Sequence, residues 1–139
     1  MKTAVVFWSG TGNTEIMAGK VAEGAKAAGA EVTTFTASEF SSAKAAEFDA
    51  IAFGCPSMGD EQLEEGEFEP MWTECVSALQ GKKIALFGSY GWGDGAWMRS
   101  WEDDCRNNGI TLAADSVICC GAPDDSASAE LANLGKALA

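Results

Sequence analysis

Between an apolar run, Ala4-Val5-Val6-Phe7-Trp8, and a segment of helical periodicity stands Ser9-Gly10-Thr11-Gly12-Asn13-Thr14. These residues bring hydroxyls, an amide, glycines and no positive charge. Hydroxyls each donate one hydrogen bond, glycines let the backbone come close, and a helix beginning here turns its free N–H groups and positive end toward the loop. That combination grips a phosphate. A P-loop of the form GxxxxGK[ST] needs a lysine that this stretch lacks, which removes nucleoside triphosphates. A GxGxxG dinucleotide fingerprint needs its third glycine where Glu15 stands, and no convincing ribose-binding acid follows about twenty residues on. What remains is a terminal monophosphate, with Glu15 complementing the helix dipole.

Two other segments carry side chains suited to a flat ligand. Gly88-Ser89-Tyr90-Gly91-Trp92-Gly93-Asp94-Gly95 places two large aromatics in a glycine-rich loop, where a planar ring can stack on Tyr90 or Trp92. Pro56-Ser57-Met58-Gly59-Asp60-Glu61 offers an adaptable methionine for the other ring face, a glycine free to change its backbone angles, and two carboxylates.

The elements that must position these loops alternate between short strand-like and longer helix-like stretches, which argues for a parallel sheet covered by helices on both faces. Strands are predicted over 2–8, 31–36, 48–55, 82–89 and 110–120. Helical spacing links Ile16, Met17, Val21, Ala25 and Ala28, with Gly29 to end the helix. Similar stripes link Phe68, Met71, Trp72, Cys75, Val76 and Leu79; then Trp97, Met98, Trp101 and Cys105; and last Ala127, Leu131, Leu134 and Leu138. Residues 41–47 leave room for a short helix only. Trp72, Trp97 and Trp101 are read as core packing, and Trp8 either touches the rim of the ligand or finishes its strand, with the core role favoured. All three loops then follow strands, at the carboxyl edge where open parallel sheets bind ligands.

The chain of 139 residues, 47% hydrophobic, suits one domain with a sizeable core. No apolar stretch is long enough to span a membrane and the start carries no signal-peptide pattern, so the expected location is the cytoplasm. A formal charge of −12 disfavours nucleic acid and anionic membranes and favours basic protein partners. There is no histidine, which excludes hydrolase triads and histidine metal sites. The five cysteines, Cys55, Cys75, Cys105, Cys119 and Cys120, have no CxxC spacing and read as reduced thiols.

In order and spacing, the three loops resemble those of the flavodoxins, specifically the short-chain type, and the similarity covers the whole chain. Ile110 to Gly121 runs into the last helix without the insertion that marks long-chain members. The resemblance implies a three-layer, doubly wound α/β fold of flavodoxin type, a five-stranded parallel sheet of order 2-1-3-4-5 over residues 1–139, and one noncovalent FMN. Flavodoxins are themselves a standing example of the rule that places the ligand at the order reversal. The implied cofactor contacts are Ser9, Gly10, Thr11, Gly12, Asn13 and Thr14 for the phosphate, then Pro56, Ser57, Met58, Gly59, Asp60 and Glu61, and finally Ser89, Tyr90, Gly91, Trp92, Gly93 and Asp94. By that similarity Trp92 stacks on the outer flavin face and Met58 on the inner one, while Tyr90 shapes the loop. The Gly59-Asp60 peptide turns on one-electron reduction so that its carbonyl accepts the proton at flavin N5, and Glu61 accepts from N3.

The same resemblance implies an electron carrier working through the semiquinone/hydroquinone couple, with no catalytic residue, no metal and no substrate turnover. Its partners would be basic surfaces of reductases and oxidoreductases, met as a monomer. The loops hold no lysine or arginine, so negative charge on the flavin goes uncompensated and a low potential is expected. The alternative is a small FMN-dependent NAD(P)H:quinone reductase of the same fold, which needs a second pocket that this short chain leaves little room to build. A phosphorelay receiver fails on the residues: it requires an acidic cluster after strand one and an aspartate ending strand three, where Trp8-Ser9 and Cys55 stand.

Overall fold

A computed structural model describes residues 1–58, 61–91 and 93–139. Five parallel strands, β1 (Lys2–Phe7), β2 (Glu31–Thr36), β3 (Ala50–Gly54), β4 (Lys83–Tyr90) and β5 (Val117–Cys120), pair in the order β2-β1-β3-β4-β5. The helices are α1 (Asn13–Ala27), α2 (Ser42–Ala45), α3 (Phe68–Cys75), α4 (Ala96–Asn107) and α5 (Asp125–Ala137). The expected topology and layering are therefore what the chain adopts.

Side chains alternate across a strand, and the central strands carry continuous apolar runs, Ala4–Phe7, Ala50–Phe53 and Ile84–Phe87, so both sheet faces can be buried. Ala4, Val6, Ile51, Phe53, Ile84 and Leu86 pack with Phe68, Met71, Trp72, Trp97 and Trp101 of α3 and α4. Val5, Phe7, Ala52, Ala85 and Phe87 pack on the other face with Met17, Val21, Leu131 and Leu134 of α1 and α5. Trp72, Trp97 and Trp101 are core, as expected. Phe53–Trp72, Phe68–Trp101 and Trp72–Trp101 meet edge to face with centroids 5.1, 5.4 and 5.5 Å apart. Helices α1 and α5 come backbone to backbone. A β-carbon on Gly24 would run into the Ala132 carbonyl, and one on Gly135 into the Val21 carbonyl.

Three expectations need correction. The last strand does not run over 110–120: Leu112 makes an isolated parallel bridge with Ile84, and pairing resumes only at Val117, opposite Phe87. Five steps on one side face three on the other, so residues 113–116 bulge out before β5 begins. Ile16, placed on the buried stripe of α1 by its spacing, is 49% exposed, and Ala28 lies beyond the helix end and is exposed. Helix α3 tightens into a 3-10 turn at Val76–Ala78, which leaves Val76 half-buried yet still delivers Leu79 to the core.

The cysteines carry no disulfide among the described residues. Cys55, Cys75 and Cys105 are buried, and burial pushes each thiol up to about 12. Cys119 is half-buried and also raised, chiefly by burial, while Cys120 is exposed.

Candidate functional site

Parallel pairing aligns the carboxyl ends of β1, β3 and β4, with Phe7 opposite Gly54 and Gly54 opposite Phe87. The strand order reverses between β1 and β3, and there the three loops open together. They enclose a cleft of about 320 Å³ lined by Trp8, Ser9, Gly10, Thr11, Asn13 and Thr14, by Pro56, Ser57 and Met58, by Ser89, Tyr90 and Gly91, and by Gly121. None of the described residues that line it is basic.

The first loop is held by its own polar groups. Gly12 sits at φ 97°, a left-handed conformation suited to glycine, and donates its N–H to Ser9 Oγ at 3.0 Å. The Ser9 hydroxyl proton stays available to a ligand. Gly12 is the N-cap of α1, and no side chain among the described residues caps the helix. The first intrahelical bond is Ile16 N–H to the Gly12 carbonyl, so the N–H groups of Asn13, Thr14 and Glu15 have no acceptor within the helix. Thr14 is only 1% exposed, and its Oγ1 has no hydrogen-bond partner among the described residues. A buried hydroxyl without a partner costs roughly 1–3 kcal/mol, so its retention beside an uncapped helix end fits an absent anion.

The second loop is closed by paired backbone bonds, Met58 N–H to Gln62 O and Gln62 N–H to Met58 O, both 2.9 Å. Ser57 N–H donates to Ser89 O at 3.0 Å, joining the second loop to the third. Behind it, Glu64 anchors the chain. Burial alone would raise its carboxyl, but the N–H groups of Phe68, Glu67 and Gly66 donate to it and together hold it below the usual carboxylate range. In the third loop Ser89 Oγ donates to Gly121 O at 2.6 Å, and Tyr90 packs on Trp97 with centroids 5.6 Å apart.

The structure thus gathers eleven of the expected residues around one cleft: Ser9, Gly10, Thr11, Asn13, Thr14, Pro56, Ser57, Met58, Ser89, Tyr90 and Gly91. Gly12 lies behind the lining as the helix cap. Glu61, at φ 56°, accepts the Ala96 N–H at 3.1 Å and so caps α4. Gly93 faces that same carboxylate. Asp94 pairs with Arg99 at 3.0 Å on the surface. Gly59, Asp60 and Trp92 lie outside the described residues. Sequence reasoning missed Gly121 as a lining residue and favoured the core over the ligand rim for Trp8. Trp8, expected to finish its strand, does pack on the core but also turns its ring toward Gly10 and walls the cleft. Its place at the very end of β1 was the available signal; Gly121 became predictable only once β5 was known to lie beside β4.

The cleft therefore offers an anion site at one end and apolar walls beside it, the two needs of a phosphorylated flat ligand. The sequence matches the flavodoxin family profile over residues 5–133. The chain belongs to the flavodoxin family. The flavodoxin of Clostridium beijerinckii is 43% identical over 135 residues, 97% of each chain, and that of Megasphaera elsdenii is 43% identical over 114 residues, 82% of this chain and 83% of that one. The solution structure of two-electron reduced Megasphaera elsdenii flavodoxin superposes with a TM-score of 0.90 at 41% identity, covering 98% of this chain and 97% of that chain. Flavodoxins bind FMN and carry electrons to redox partners, as electron-transfer proteins rather than enzymes. FMN has one terminal phosphate and one planar ring system, so the unpartnered Thr14 hydroxyl and the apolar walls fit it.

Proposed function

We propose that this flavodoxin holds a single FMN in the three-loop cleft and works as a low-potential, one-electron shuttle between redox proteins. The observation that carries the site assignment is the buried, unpartnered Thr14 hydroxyl at the uncapped start of α1, opening on a cleft with no basic residue among the described ones that line it. The hydroxyls of Ser9, Thr11 and Thr14, the Asn13 amide and the first-turn N–H groups bind the phosphate, helped by the positive helix end. Gly10 and Gly12 let the backbone reach it. Met58 and Tyr90, with Pro56, Ser57, Ser89, Gly91 and Trp8, cover the ring system and exclude water. Gly59, Asp60, Glu61, Trp92, Gly93 and Asp94 complete the contacts on the family resemblance.

The flavin, when bound, supplies the redox chemistry, and the chain's residues set its conditions. Gripping the phosphate without a cation leaves no positive side chain beside the ring, so negative charge added there is poorly compensated and the potential falls. The paired bonds between Met58 and Gln62 fix the ends of the second loop. On the family resemblance, the Gly59 carbonyl would accept a hydrogen bond from the protonated flavin N5.

Residues 1–139 act as one domain, supported by a single sheet running from Lys2 to Cys120. The charge of −12 supports docking on basic partner surfaces, rather than nucleic acid or membranes. No helix among the described residues is long and apolar enough to cross a membrane. We assign the protein to the cytoplasm as a monomer, which suits small, transient contacts. The test is a visible spectrum of the purified protein followed by addition of NADPH alone. Flavin bands that persist support a shuttle; rapid bleaching supports the quinone reductase alternative, and no bands even after adding FMN refutes both.

A further inference from the structure

The first turn of α4 touches the second and third cleft loops at once. Gly95 is its N-cap and brings no side chain, and the Glu61 carboxylate accepts the Ala96 N–H at 3.1 Å. The next residue, Trp97, is 1% exposed and donates its indole N–H to the Cys55 carbonyl at 3.2 Å. Its ring lies against Tyr90, with centroids 5.6 Å apart. Cys55 precedes the second loop and Glu61 ends it, so two consecutive residues of α4 hold both ends of that loop. The second of them also holds the third loop. Past Gly54 the chain stays tied to β4 by its N–H groups, Cys55 N–H to Phe87 O at 3.2 Å and Ser57 N–H to Ser89 O at 3.0 Å. Pro56, between them, has no N–H, so the Cys55–Pro56 peptide can be held only through its carbonyl, and the indole holds it there. Gly88 makes the room: a β-carbon on it would run into the Cys55 carbonyl and crowd the Trp97 ring.

We propose that Trp97 is a positioning residue for the flavin ring: its indole N–H fixes the Cys55–Pro56 peptide, and with it the Pro56, Ser57 and Met58 wall of the cleft. The inference rests on the reading that FMN fills the cleft, and adds which side chain, standing behind the lining rather than in it, keeps the ring-side wall in place. A buried carbonyl deprived of its donor turns to seek another, and the loop entry then samples more conformations. Those conformations must be ordered again when the ring binds. The cost falls on contacts with the ring and not on the phosphate, which the first loop holds. The bond from protonated N5 to the second loop then also needs more ordering, so the potential of the first one-electron step falls.

The test compares wild type, Trp97→Phe and Trp101→Phe in flavin binding and in redox titration. Both substitutions shrink a buried indole of α4 to a phenyl ring, but the Trp101 N–H has no acceptor among the described residues, so only Trp97→Phe removes a bond. Trp97→Phe should weaken riboflavin and FMN alike, by about three- to tenfold. It should lower the first one-electron potential by a similar factor, up to about 59 mV. Trp101→Phe should leave both quantities near wild type, whatever it loses in urea unfolding. Equal effects of the two substitutions, or an unchanged potential and riboflavin affinity in Trp97→Phe, would overturn the positioning role. If Trp97→Phe does not fold, the indole N–H signal of Trp97 in isotopically labelled wild type decides. It should exchange slowly with solvent and shift both when riboflavin binds and when the bound flavin is reduced; a signal unmoved by either overturns the role. Wild-type protein that binds neither FMN nor riboflavin overturns the cofactor reading and this role with it, whereas the other adverse results overturn the role alone.

Discussion

Replacing Thr14 by valine removes one hydroxyl and keeps the branched shape, and the structure predicts effects of opposite sign on the free protein and on the complex. The side chain is 1% exposed and its oxygen is unpartnered among the described residues. Without ligand the hydroxyl carries an unmet desolvation cost of roughly 1–3 kcal/mol, so valine should leave the apoprotein as stable or more stable. A gain of about 1 kcal/mol corresponds to a rise in Tm of about 4 °C for a chain of this size. With FMN bound, the same hydroxyl donates to a charged phosphate, a bond worth about 1.5–3 kcal/mol, and its loss should weaken binding roughly ten- to a hundredfold. The assays are thermal unfolding of apoprotein and quenching of flavin fluorescence on titration, with riboflavin as the ligand lacking phosphate. Riboflavin binding should hardly change. A Thr14→Val apoprotein that is clearly destabilised while binding FMN as tightly as wild type would show that the hydroxyl serves the core and not the ligand.

Other outcomes follow from packing and charge. Gly24→Ala and Gly135→Ala each force a β-carbon into a backbone carbonyl of the neighbouring helix, and should cost about 1–3 kcal/mol in urea unfolding. In native protein Cys120 should react first with a thiol reagent at pH 8, whereas Cys55, Cys75 and Cys105, pushed up to about 12 by burial, should wait for unfolding. Glu64, held below the usual carboxylate range, lends stability that is fully present above its unfolded pKa and is lost as pH falls through its lower folded value. Glu64→Gln should therefore destabilise the protein at pH 7 and flatten its acid unfolding, measured as Tm between pH 7 and pH 3.

Much of this architecture was legible because its signals are local. The first four strands are short apolar runs between turn residues, and the observed strands fall within those limits to a residue or two. The fifth failed for a physical reason: Ile110 to Leu112 and Val117 to Cys120 are both apolar, and period alone cannot show that residues 113–116 leave the ladder between them. Ile16 misled because adjacent Ile16 and Met17 were both assigned to one stripe, and only Met17 points inward. In the site, the phosphate loop was readable from hydroxyls and glycines that act where they stand. The cap that Glu61 gives α4 was not, since it joins residues 35 apart in sequence through loops brought together only by the sheet. Trp8 shows the same limit, for a ring at the end of β1 serves core and cleft at once.

A crystal structure of the chain with FMN tests the central claim most directly. The account predicts phosphate oxygens within about 3 Å of Thr14 Oγ1 and of the first-turn N–H groups of α1, with the ring between Met58 and the loop that follows β4. A phosphate left in solvent, or a flavin seated away from these loops, would contradict it.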